Sequence, residues 1–408
     1  MSNESIDLLD TIDKIQKDFQ NDDFNEPPIV QIQKDLNAID DVLITVLNAP
    51  KELSNQTIFR TNSRLRSHVF IDIQYVRQFR ENLRSNTVPN NLYYYLLDIC
   101  DDFDIDAPIV FRPRREIVIR KVADYFDEKF EIERHDSDFY NRWIRDLKSN
   151  ECYVIGFPIS EMRNPMNFSL IAHECLHAAS STNHGNQLLW EHFCEEYAPS
   201  LIEEFDEDTL EEVALDILCH NYLGPIYGLR ISQLPERLGY RSSSSHLGLA
   251  ARLWYGMKYL EYIEGDPEWW DRRHPKFEEI RQRALDELKG RYTNLPDSQK
   301  KRYISKLDSV QEGVNNFFDD ENIPSYKNEV VNLSDYLGMP SASKTTVSDK
   351  LDRFLLDEDR SKNLALPLKP SILLNLLILY DWSKVTDLRE PILLSFKKWY
   401  VTKKTIYD

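Results

Sequence analysis

Apolar residues recur along most of the chain at intervals of three and four, the spacing that turns one face of an α-helix toward a core. Ile6, Leu8, Leu9, Ile12, Ile15 and Phe19 form the first such stripe, ended by Asn21-Asp22-Asp23 and Pro27-Pro28. The pattern predicts amphipathic helices again over 29–47, 64–83 and 90–100, so that residues 28–105 read as a helical layer. Further helices are predicted at 188–205, kinked or split at Pro199, and up to Leu223, opened by a capping box of Asp208 with Glu211 and ended by Gly224-Pro225. An aromatic-rich helix through Trp254, Tyr255, Met257 and Tyr262 follows, then charged helices at 276–291 and 298–318. Beyond a linker at 340–346 the C-terminal part again reads as apolar and helical. Strand-like runs are scarce. The best is Cys152-Tyr-Val-Ile-Gly-Phe157, stopped by Pro158, which could supply an edge for an extended peptide.

Residues 167–181 differ from the amphipathic stretches. Phe168, Leu170, Ile171, Ala172, Leu176, Ala178 and Ala179 make the run apolar on most sides, and neither Gly nor Pro interrupts it after Pro165. A helix with so little polar surface is expected to be buried, yet it carries His173, Glu174 and His177. In helical geometry the two histidines, at i and i+4, share a face, and Glu174 beside the first can reach a metal-bound water. The alternative is a pair of core histidines satisfied by backbone carbonyls.

A hydrolytic zinc site takes three protein ligands and keeps one position open. A metzincin-type third histidine would fall at position 183, which is Asn183, with Ser180 where glycine is required; His184 misses the register by one residue. Two Glu-x-x-x-Asp matches lie downstream. Glu204 and Asp208 fall in a polar loop, whereas Glu212 and Asp216 fall on a helix whose core face is Leu210, Val213, Ala214, Ile217 and Leu218, and His220 continues their line at i+8. Glu191 and His192 are alternative ligands.

With these motifs, residues 165–230 resemble the gluzincin class of zinc metallopeptidases, in which a His-Glu-x-x-His helix is met by a second helix carrying Glu-x-x-x-Asp. The resemblance implies zinc bound by His173, His177 and Glu212, Glu174 as general base, and Asp216 orienting His173. It also implies a peptide or protein substrate and a His or Tyr donor to the oxyanion, for which His246, Tyr222 and Tyr227 are candidates, His246 foremost.

Composition narrows the picture. Eleven Gly in 408 residues leave few tight turns and favour helix. The expected fold is therefore mainly α, an α+β chain with a small sheet next to the active-site helix. A zincin-like core over 111–295 would lie between helical regions at 1–110 and 296–408. The balance of 50 basic and 69 acidic residues, net −19, weighs against nucleic acid and anionic membranes as partners. The densest basic cluster, Arg112 to Lys121, reads as a solvated helix start. Five cysteines without a Cys-x-x-Cys pair fit reduced thiols in a cytoplasm, and neither a secretory signal nor a membrane span is evident. Two other classes remain: a helical interaction protein retaining a structural or relic zinc site, and a nucleic-acid-associated protein using the clusters at 112–121 and 397–404.

Overall fold

A computed structural model of the chain describes residues 90–105, 109–113, 118–121, 153–158, 164–180, 189–233, 248–272, 275–320, 322–331, 368–380, 385 and 388–407. The helical stripes before residue 90, the linker at 340–346, Cys152, His184 and His246 lie outside them. The described residues are mostly helical, as the scarcity of glycine predicts. None of their helices is long and apolar enough to cross a membrane. They belong to two compact units, one holding the strands and the other holding 90–105 with everything from 158 onward.

In the first unit β1 (Ile109–Pro113), β2 (Val118–Lys121) and β3 (Tyr153–Phe157) form a sheet in the order β1-β3-β2. β3 runs parallel to β1, with Phe111 opposite Ile155, and antiparallel to β2, with Ile119 opposite Ile155. Two sequence readings are corrected here. The run at 153–157 is a strand, but a central one, hydrogen-bonded on both sides, so it has no free edge to offer a peptide. The basic cluster is not a helix start either: Arg112 lies in β1, and Arg120 and Lys121 lie in β2.

The second unit is a helical assembly around α2 (Phe168–Ser180). A 3-10 turn at Pro165–Asn167 leads into it, capped by the Asn164 side chain, which accepts from the Met166 N–H at 3.1 Å. Phe168, Ile171, Ala172, Cys175, Leu176, Ala178 and Ala179 are all fully buried, so this helix is enclosed on most sides, as its composition demands. From one side α1 (Asn90–Asp102) meets it, with the Tyr95 hydroxyl donating to the Phe168 carbonyl at 2.8 Å.

The helix that faces α2 with carboxylates is α3 (Glu207–Leu223). Its N-cap is Asp206, which accepts from the Thr209 N–H at 2.9 Å, so the expected capping box of Asp208 and Glu211 is displaced: both residues already lie within the helix. Glu207 and Asp208 in the first turn suit the positive end of the helix dipole. At the other end Gly224 takes φ 69°, ψ −145° and Pro225 opens α4 (Pro225–Gln233), as the Gly-Pro pair predicts. Then come α5 (Leu249–Gly265) and α6 (Pro275–Asn294), which pack against each other and against α4. The predicted helix at 298–318 is two, Asp297–Ser309 and α7 (Gln311–Phe318), broken at Val310.

The joint between α3 and α4 is held from outside. Above Gly224 lies the ring of Tyr326, from α8 (Tyr326–Val331). Asn375, on α9 (Pro370–Leu376), accepts from the Ile226 N–H at 2.9 Å and donates to the carbonyls of Leu223 and Ser371 at 2.5 and 2.8 Å. A polar residue in the most apolar stretch of the chain thus satisfies backbone groups that the turn leaves unpaired in the core. Last, α10 (Arg389–Tyr407) packs along α1, stacking Phe396 on Tyr95 at 5.1 Å and setting the Trp399 indole N–H on Asp98 at 2.9 Å.

Candidate metal centre

On α2 the rings of His173 and His177 lie 5.0 Å apart and nearly perpendicular, as one helical turn brings them. Across from them α3 presents Glu212. Its Oε2 is 3.2 Å from His173 Nε2 and its Oε1 is 3.5 Å from His177 Nε2. One ligand atom from each of the three residues lies within 4.8 Å of the others, and this group could hold a metal ion. Among the described residues no other group of His, Cys, Asp and Glu does so.

The separations suit a cation. Bonds of about 2.0–2.2 Å around a tetrahedral zinc place neighbouring ligand atoms about 3.3–3.5 Å apart. The far nitrogens of both rings are also engaged, which fixes each ring's orientation. His177 Nδ1 meets Glu211 Oε1 at 3.1 Å, and His173 Nδ1 meets the Tyr227 hydroxyl at 2.9 Å. When Nδ1 carries the ring proton for these contacts, each Nε2 presents its lone pair toward the space beside Glu212.

The surroundings are strongly anionic on one side and neutralised on the other. Burial lowers the pKa of His177, but the hydrogen bond to Glu211 and the charges of Glu212 and Glu174 outweigh it and raise the value to about 9. Asp216 is held below the usual carboxylate range: burial pushes it up, and Arg252 and His173 more than offset that. Arg252 Nη2 lies 2.5 Å from Asp216 Oδ1, and both are buried. The His220 side chain continues the line of Glu212 and Asp216 into the core, edge-on to Tyr227 at 4.9 Å. Burial brings its pKa down to about 4, which keeps it neutral. A Cβ on Gly256 would lie 2.9 Å from its Cε1, so glycine lets α5 come this close.

Solvent reaches the cluster from one side. Glu211 and His177 side chains are 30% and 18% exposed, whereas His173 is 6% exposed. Glu174 is buried within α2.

His173, His177 and Glu212 therefore converge, and Asp216 reaches the same cluster on the side of His173. The other sequence candidates do not join them. Glu204 and Asp208 are exposed, and Glu191 and His192 stand outside the group, His192 with its ring on Tyr197. Two candidate oxyanion donors are committed elsewhere: the Tyr222 hydroxyl donates to Asp102 at 3.0 Å, and that of Tyr227 donates to Asp216 at 2.6 Å. His246 lies outside the described residues. Three neighbours escaped the sequence reading in these roles: Glu211, Tyr227 as a partner of His173, and Arg252. Only Arg252 left a signal, as a lone cation between Ala250, Ala251, Leu253 and Trp254 that needs a buried anion.

Compared with known proteins, the chain matches no family model, no curated protein and no solved structure.

Proposed function

We propose that this chain is a zinc-dependent metallopeptidase. The observation that carries the reading is the convergence of two histidines one turn apart on α2 and a carboxylate on α3, with the residue next to the first histidine a glutamate. Two imidazoles and one carboxylate form a donor set suited to zinc, and three protein groups leave a fourth position for chemistry.

Zinc held by His173, His177 and Glu212 would supply a Lewis acid that makes water nucleophilic near neutral pH and polarises a carbonyl. The chain does the rest. Glu174 accepts the proton of the attacking water on its carboxylate and returns it to the leaving amine. Glu211 and Tyr227 hold the two ligand rings so that no reorganisation is needed as charge develops. The side exposed at His177 and Glu211 is where a peptide would approach.

The test is Glu174→Gln, which keeps the three metal ligands and removes the base. Wild type and variant, each assayed for bound zinc, are incubated with a diverse peptide library, and new termini are read by mass spectrometry. Cleavage by wild type should fall at least ~100-fold in the variant, the lower end of what a positioned base contributes. Equal cleavage of the same bonds by both proteins removes Glu174 from the mechanism, and no cleavage by either favours a non-catalytic interaction protein.

A further inference from the structure

The Glu-x-x-x-Asp pattern leads one to expect a carboxylate on the far nitrogen of His173, but the group in closest contact there is a hydroxyl. Tyr227 Oη lies 2.9 Å from His173 Nδ1, Asp216 Oδ1 lies 3.5 Å away, and Cys219 Sγ 3.9 Å. The hydroxyl has one proton to give, and Asp216 Oδ1 at 2.6 Å receives it. Toward His173, and toward Arg252 Nη2 at 3.1 Å, the same oxygen can only accept. Each member is buried, and each comes from a different helix: Asp216 from α3, Tyr227 from α4 and Arg252 from α5.

We propose that Tyr227 is the positioning residue for His173, and that Asp216 and Arg252 act on this ligand through the tyrosine hydroxyl. The proposal rests on the metal-binding reading of His173, His177 and Glu212. The Tyr227 ring lies nearly parallel to the imidazole, 14° between planes at 6.0 Å between centroids, so ring orientation and proton position are set by one side chain. Arg252 neutralises Asp216 at 2.5 Å and keeps the pair buried without adding a further net negative charge to the cluster. The two ligands are therefore held differently. His177 gives its Nδ1 proton to a partly exposed carboxylate, and His173 gives its own to a buried neutral oxygen. A neutral acceptor pulls less on the ring proton, so His173 donates less electron density through Nε2 than His177 does.

Cobalt(II) is the probe, titrated into the full-length, metal-stripped chain against a chelator of known affinity. The d–d absorption spectrum reports ligand geometry, and thermal melting of the metal-free protein separates loss of fold from loss of positioning. Tyr227→Phe keeps the ring and removes the acceptor. It should weaken cobalt binding by about 10–100-fold and change the d–d spectrum. Asp216→Asn leaves an amide oxygen to accept from Tyr227 and should weaken binding less. Replacing Tyr227 with 3-fluorotyrosine keeps every contact while making the oxygen a poorer acceptor; it should still shift the affinity and the spectrum, and it carries the test should Tyr227→Phe not fold. Wild-type affinity and spectrum in Tyr227→Phe and the fluorinated protein would overturn the proposal. A larger loss in Asp216→Asn than in Tyr227→Phe, with both folded, would overturn it in favour of direct action by Asp216. A wild-type protein that binds no cobalt refutes the metal site itself, and the relay with it.

Discussion

Gly224→Ala tests the joint that sets α3 against α4, and so Glu212 and Asp216 against Tyr227. Two costs arise from the structure. The backbone at φ 69°, ψ −145° lies close to a region that only glycine populates freely, a strain of about 1–3 kcal/mol for alanine. The added Cβ would also sit 2.5 Å from Cγ and Cδ1 of Tyr326. These atoms belong to the near edge of a fully buried ring, which cannot swing aside as a flexible tip would, and such overpacking costs about 1–3 kcal/mol more. A loss of about 2–6 kcal/mol is expected, large against the roughly 5–15 kcal/mol that holds a domain folded. Urea unfolding of the metal-free protein, followed by circular dichroism, measures it. Repeating the substitution in a Tyr326→Ala background separates the costs, because there only the backbone strain of about 1–3 kcal/mol should remain. An unchanged urea midpoint in Gly224→Ala, or the same loss with and without Tyr326, would refute the reasoning.

Two further predictions follow from the charged groups. Burial and then Asp102 push the Asp98 carboxyl up to about 7, against the pull of Lys369, Lys403 and the Trp399 indole. A carboxyl whose folded pKa is raised contributes stability that is complete below about pH 4 and lost as the pH rises through its folded value. Wild type should therefore lose stability relative to Asp98→Asn between about pH 4 and 7 in urea titrations, and parallel pH profiles would contradict this. At the metal cluster, Glu212→Gln should weaken zinc retention in a chelator competition while Glu204→Gln, on an exposed turn, should not; equal retention would remove Glu212 from the ligand set.

The helical character of the chain, the buried α2 and the Gly224-Pro225 joint were legible because each depends on local physics: periodicity, composition on all faces, and backbone freedom. The same holds for the pairing of His173 with His177, which one turn of helix guarantees. Glu212 was singled out over Glu204 because it sits on a helix with a strong core face, and the structure places it at the two rings. Tertiary relations were not legible. Whether a strand is central or at an edge depends on what flanks it, so the run at 153–157 gave its conformation but not its place in the sheet. A short stretch of cations around Pro113 resembles a polar helix start, whereas β3 supplies ladder partners on both sides that draw it into strands. Tyr227 looked like an oxyanion donor because its commitment to Asp216 and Arg252 is made by three helices closing on one point. The N-cap at Asp206 rather than Asp208 reflects a choice between neighbouring acidic residues that can each cap.

Metal content tests the central claim most directly. Protein purified without chelators and analysed for elements should contain about one zinc per chain, and the His173→Ala, His177→Ala double variant should contain none, since Glu212 alone leaves no competent site. Wild-type protein without zinc, or zinc retained in the double variant, would contradict it.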